Sequence, residues 1–245
     1  VAKSPAVGYT LGIGFNGPIA FGPFMYKKMA YDPAKDLLPI VLTSSQPNVL
    51  AVPANHPAKT VGEFVAWARQ QGGKASYASV GAGSSSHLTM ELFRSVAGFE
   101  ATHIPFSGSP PAGLSVASGE TQALFTVAPA LLPLVEGGRI RMLATTSLQR
   151  QEGMKDLPTV AEQGFPGFEA LAWNGLFAPT GLPPALVQRI NADVNAAMQD
   201  AGVREAFAKQ GLIIGSGTPD SFKGFIAAEG KKWGAIIQKV GITID

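Results

Sequence analysis

The residues best placed for chemistry lie between Tyr77 and Leu88, in the stretch YASVGAGSSSHL. A short apolar segment, Ala75 to Val80, runs into Gly81 and Gly83, then Ser84, Ser85 and Ser86. Leu88, Leu92, Phe93 and Val96 follow at helical spacing. That order predicts a strand, a glycine-rich turn and a helix. The first turn of a helix carries N–H groups with no intrahelical acceptor, and its dipole favours negative charge, so such a turn can hold an anion. The glycines admit close approach to the backbone, and the serine hydroxyls add donors. No lysine or arginine lies between Lys74 and Arg94, so the turn suits a carboxylate better than a triphosphate. The same serines would equally serve as an ordinary helix cap with nothing bound.

Other chemistries find less support. The histidines are His56, His87 and His103, and none sits in a recognised catalytic pattern. No G-x-S-x-G elbow occurs, and His87, three residues after Ser84 on one helix, is better placed to pack or cap than to take a proton. Gly81 and Gly83 lack the third glycine of a dinucleotide fingerprint and no P-loop is present, so no cofactor is expected. No metal site is expected either, since there are no cysteines and no clustered His and carboxylate ligands. The formal net charge is only +2 and the basic residues are scattered, which gives no footprint for nucleic acid. Apolar runs such as Val49 to Val52 are far too short to span a bilayer, and the first residues show no signal-peptide pattern.

The elements that must position these residues alternate. Residues 9 to 14 read as a buried strand leading into Phe15, Asn16 and Gly17, a second loop able to offer backbone donors. A short helix is expected over Pro23 to Met29, and YDPAKD, residues 31 to 36, should break any regular element. Ile40 to Leu42 and Val49 to Val52 read as two apolar runs parted by Ser44 to Asn48. Thr60 and Glu63 make a capping box for a helix over Val61 to Gln70. Thr102 to Phe106 reads as a strand, and SGSPPAG, residues 107 to 113, as a third ligand loop before a helix. Thr121 to Val127 and Arg139 to Thr145 read as strands around a helix at Pro129 to Val135. The alternation argues for a mainly parallel sheet with helices on both faces and ligands beyond the carboxyl ends of the strands. After a turn-rich connection from Ser147 to Gly167, Leu171 to Phe177 returns to strand character. Three scaffold helices then begin near Pro184, Asp200 and Thr218.

Several phrases together resemble one family: GYTL at 8 to 11, YKKMAYDPAKD at 26 to 36, PNVLAVP at 47 to 53, YASVGAGSSSHL at 77 to 88, HIPFSGSPPA at 103 to 112, LPTVAEQGFPGFEALAWNGLFAPTG at 157 to 181 and KKWGAIIQKVGI at 231 to 242. They are similar to the Bug/TctC solute-binding proteins of tripartite tricarboxylate transporters, over the whole chain and in family order. The resemblance implies an α/β, two-domain, periplasmic-binding-protein-like (type II) fold, with residues 1–53 and 173–245 as one domain and 54–172 as the other. It also implies a periplasmic protein, without catalysis, that closes on a dicarboxylate or an aromatic acid in the interdomain cleft and delivers it to membrane permease subunits.

Carried over position by position, the resemblance assigns the ligand to Phe15, Asn16 and Gly17, to Ser79, Gly83, Ser84 and Ser85, to Phe106, Ser107 and Gly108, and to Thr126. Two departures stand out. The family pattern has a further segment ahead of GYTL, with the first strand, a glycine-rich ligand loop and the first helix. The first domain is therefore expected to be incomplete at its N-terminus and open to self-association. Thr126 stands where the family commonly has an aspartate, which favours a ligand without an ammonium group. Two other functions stay open at this point: a non-binding module of the same fold that serves as an interaction or oligomeric unit, and an esterase using Ser84 or Ser85 with His87.

Overall fold

A computed structural model describes residues 1–244. In chain order the strands are β1 (Gly12–Phe15), β2 (Leu37–Pro53), β3 (Ser76–Ser79), β4 (Thr102–Pro105), β5 (Ala123–Val127), β6 (Ile140–Thr145), β7 (Leu171–Pro179) and β8 (Ile213–Ile214). The helices are α1 (Gly22–Met25), α2 (Pro33–Asp36), α3 (Val61–Gln70), α4 (Ser85–Ala97), α5 (Ser109–Ser118), α6 (Leu132–Glu136), α7 (Pro184–Met198), α8 (Ala201–Lys209) and α9 (Pro219–Val240). Contacts divide the chain into two compact units, Val1–Gln46 with Ala172–Asp245, and Pro47–Leu171.

In the first unit β1 pairs antiparallel with β7, and the early part of β2 pairs with β8 through Ser44 and Ser45. Ile40 and Val41 of β2 and Ala178 of β7 form a buried cluster that Val187, Ile190 and Val194 of α7 cover, as the apolar stripe of that helix requires. The long helix α9 starts in a reciprocal cap between Thr218 and Ser221 and buries Phe222, Trp233 and Ile237. The indole nitrogens of Trp173 and Trp233 both donate to Glu229 Oε2, at 3.1 and 2.9 Å, so two large aromatics are buried with their polar atoms satisfied. Gly175 is required where β7 meets α9: a Cβ there would stand 2.1 Å from the Phe222 ring.

The second unit holds the sheet β6–β2–β5–β3–β4. The α/β class expected from the sequence is present, with a mixed strand pattern. The locally connected strands β3, β4 and β5 are parallel, while β2 runs antiparallel to β5 and β6. Successive side chains on β5 serve opposite faces. Leu124 packs with Ala112 and Val116 of α5, and Phe125 meets Phe93 of α4 edge-on at 5.7 Å. Phe93 in turn contacts Phe64, Phe99, Phe165 and Phe168, so α3 and α4 share an aromatic core.

The strand expected to be buried over residues 9 to 14 runs from Gly12 to Phe15 instead, with Tyr9 and Ile13 exposed, and two further expectations are corrected. The two apolar runs around Ser44 to Asn48 form one 17-residue strand, β2. Pro47 falls between Ser45, which pairs with Ile213, and Asn48, which pairs with Val127, at the passage from one unit to the other, where its missing N–H is tolerated. YDPAKD does not break regular structure: Asp32 Oδ1 accepts the Ala34 N–H at 3.0 Å and Pro33 takes the first position of α2.

Candidate functional site

Because β4, β3 and β5 run parallel with β3 in the middle, their carboxyl ends lie along one edge of the second unit's sheet. The loops that follow them meet at that edge, the usual ligand-binding edge of an α/β sheet. The Phe106 N–H donates to Ser79 O at 2.9 Å, tying the loop after β4 to the end of β3. Ser109 Oγ and Thr126 Oγ1 lie 3.1 Å apart, tying the start of α5 to β5. The candidate residues from Ser79 to Thr126 are therefore assembled from three separate stretches. Phe15, Asn16 and Gly17 lie in the other unit: Phe15 ends β1 half-exposed, and buried Asn16 accepts the Gly17 N–H on its side chain at 3.1 Å.

The turn after β3 is built from glycines in conformations that other residues avoid. Gly81 has φ 138° and Gly83 φ 72°. Ser84 is the N-cap of α4, in extended conformation, and its hydroxyl accepts the His87 N–H at 3.3 Å and donates to Gly81 O at 2.6 Å. Ser79 is fully buried, and its hydroxyl meets His103 Nε2 at 2.6 Å and the backbone of Gly81. The Gly83 N–H donates to His87 Nδ1 at 3.1 Å. Ser79, the Gly83 amide and Ser84 thus brace the turn from inside. Ser85 and Ser86 open α4, where the helix supplies no acceptor for their amides; Ser85 is half-buried, and Ser86 is buried with its hydroxyl donating to Phe125 O.

Beneath the turn lies a buried polar layer that sequence spacing did not reveal. The rings of His87 and His103 stack at 3.7 Å and 10°, and Tyr77 stacks on His103 at 5.0 Å. The Tyr77 hydroxyl donates to Glu91, which also pairs with Arg94 at 2.6 Å. Burial, with His103 and Arg94 nearby, pushes His87 down to about 3, and burial also lowers His103. Both rings are neutral at pH 7, which is what lets His87 accept from Gly83. The His87 ring is thereby committed to Gly83 while Ser84 donates to Gly81 and Ser85 accepts from Asn48, so neither Ser84 nor Ser85 has His87 as a base in the way the esterase arrangement requires.

A second feature missed from sequence is Asn48 on β2. It is 2% exposed, and its Nδ2 donates to Ser85 Oγ at 3.1 Å and Thr89 Oγ1 at 3.0 Å. These partners are 37 and 41 residues away, so no local pattern marks them.

Residues 1–242 match the family described as tripartite tricarboxylate transporter family receptor, TctC. The chain belongs to this family. Its members are periplasmic solute-binding receptors of the Bug/TctC type, not enzymes. Protein BugT of Bordetella pertussis is 33% identical over 244 residues, covering 99% of this chain and 75% of its own. Among solved structures, R. palustris Rpa4515 with adipate is 35% identical with a TM-score of 0.86, covering 99% of this chain and 81% of that one. MatC (Rpa3494) from Rhodopseudomonas palustris with bound malate is 28% identical with a TM-score of 0.79, covering 97% and 82%. Both of these relatives of the TctC receptor hold a dicarboxylate.

Proposed function

We propose that this TctC receptor captures a small carboxylate, a dicarboxylate or an aromatic acid, in the periplasm and delivers it to the permease subunits of a tripartite tricarboxylate transporter. The observation that carries the proposal is the start of α4, where the Ser85 and Ser86 amides and the Ser85 hydroxyl stand together with no acidic residue among Gly81 to Ser86. Neutral donors at a helix N-terminus favour a carboxylate by charge-assisted hydrogen bonds. The proposed ligand set joins these groups with the Phe106 to Gly108 loop and Thr126, and the family resemblance adds Phe15 to Gly17 as proposed ligand residues. Ser79, Gly83 and Ser84 contribute by holding the turn in shape.

Thr126 is neutral and hydrogen-bonded to Ser109, so the site offers no carboxylate there to pair with an ammonium group. Calorimetric titration with acetate, benzoate, succinate, malate, adipate, aspartate and glutamate tests the assignment. Binding of an acid without an amino group is expected. Silence across the panel would refute carboxylate capture, and tightest binding of aspartate or glutamate would refute the role given to Thr126.

One observation favours a second reading, an interaction module. Ile13 and Phe15 on the outer strand β1 are 64% and 52% exposed. Sedimentation at several concentrations, combined with an absence of ligand response, would support that reading instead.

A further inference from the structure

We infer that Asn48 is a positioning residue for the carboxylate turn: from the strand β2 it fixes the Ser85 hydroxyl as a donor aimed away from the protein and towards the ligand. The inference rests on the proposed carboxylate capture and concerns how that same site gains its preference for anions.

Asn48 is held on both sides of its peptide by Thr146: its N–H donates to Thr146 Oγ1 at 2.9 Å, and its carbonyl accepts the Thr146 N–H at 2.9 Å. Thr146 is itself anchored to Ala170 through both its hydroxyl and its carbonyl. The Asn48 side chain is buried, so its amide cannot trade partners with water. An amide nitrogen carries two hydrogens, and here one goes to Ser85 Oγ and the other to Thr89 Oγ1. The Ser85 oxygen is thereby used as an acceptor on its inner side.

A hydroxyl has a single hydrogen, and one that already accepts from Asn48 must send that hydrogen elsewhere. Ser85 is half-buried at the first position of α4, beside the amides of Ser85 and Ser86. Asn48 takes one of the two lone pairs of Ser85 Oγ and so leaves the hydroxyl hydrogen, beside the amides, as a donor at this end of the helix. A carboxylate can accept from every member of such a set with its charge, whereas an alcohol or amide of the same shape has fewer lone pairs to offer and no charge to strengthen the bonds. Asn48 does not touch the ligand in this account; it acts through Ser85.

The test is a double-mutant cycle between Asn48→Asp and Ser85→Ala, read by calorimetry with adipate and with malate and checked by thermal unfolding. Aspartate at 48 would accept where asparagine donates, and would draw the Ser85 hydrogen inward. Its added charge repels the ligand in either background, so the informative quantity is the coupling between the two sites. The expected result is that Asn48→Asp weakens binding about tenfold more when Ser85 is present than in the Ser85→Ala background. Asn48→Leu, which adds no charge, keeps the test valid if the aspartate variant does not fold. Its loss is expected with Ser85 present and absent after Ser85→Ala. Equal losses in both backgrounds would overturn the positioning role while leaving carboxylate capture standing. A wild-type protein that binds neither acid would overturn both.

Discussion

The helices α4 and α5 start on the same sheet edge, each after a parallel strand and each behind a glycine at positive φ, Gly83 at 72° and Gly108 at 113°. Their first turns differ in one chemical respect. The helix α4 opens with Ser85, Ser86 and His87, whereas α5 opens with Ser109, Pro110 and Pro111. Two prolines remove two N–H groups from the first turn of α5 without disturbing its geometry, because proline suits the start of a helix. Both helices have a dipole, yet α4 keeps more first-turn donors with which to use it. Two helices of similar length on one edge can thus divide the work, one to grip an anion and the other to form a wall.

Four changes test how far the two helix starts differ. The largest effect is expected from Ser85→Pro, which makes α4 resemble α5. The extended conformation of Ser84, φ −70° and ψ 163°, already suits the residue before a proline, so folding should survive. Loss of one amide and one hydroxyl at a charged ligand should weaken carboxylate binding by roughly tenfold to a hundredfold in calorimetry.

Gly108→Ala should act on stability instead. Its backbone, φ 113° and ψ 177°, is nearly restricted to glycine, so thermal unfolding should show a cost of about 1–3 kcal/mol.

Acid separates the two turns again, because no ionisable residue lies between Phe106 and Pro111 while His87 braces Gly83. The folded protein holds His87 at about 3 and the ordinary value is 6.5, so below pH 6.5 the unfolded chain takes up a proton that the folded one refuses. Stability should therefore be full above pH 6.5 and fall toward pH 3 by about 1.4 kcal/mol per pH unit for this residue. His56 and His103 are also lowered, chiefly by burial, and act in the same direction. His87→Asn, whose side-chain oxygen can still accept from Gly83, should flatten the acid limb of a denaturation series. An unchanged slope would place the acid response elsewhere.

The smallest effect is expected from Pro111→Ala. It restores an N–H to α5 and should change carboxylate affinity by less than about threefold, since the donor is added to the wall and not the grip.

The sequence displays some of this structure and conceals the rest for physical reasons. The helices α3 and α4 are legible because their limits are local: Thr60 caps one, and Gly98 in the left-handed region ends the other. The turn from Gly81 to Ser86 is legible for the same reason, since glycine and serine supply its conformation and cap from within. The continuity of β2 is hidden by Pro47, whose effect depends on where its neighbours find partners. The two-residue strand β8 is too short to show a period and exists through its pairing with Ser44 and Ser45. Asn48 and the stacked histidines could not be read, because their partners are brought together only by the folded sheet. The turn's own braces are local, whereas its supports beneath, Asn48 and the His87–His103 stack, are non-local.

Recognition of a carboxylate by the donors at the start of α4 requires the protein to distinguish an acid from its neutral amide. The wild-type protein is titrated calorimetrically with the tightest-binding acid of the panel and with the corresponding amide under the same conditions. Measurable binding of the acid and a loss of at least about tenfold for the amide are expected. Equal affinity for the two would contradict this recognition.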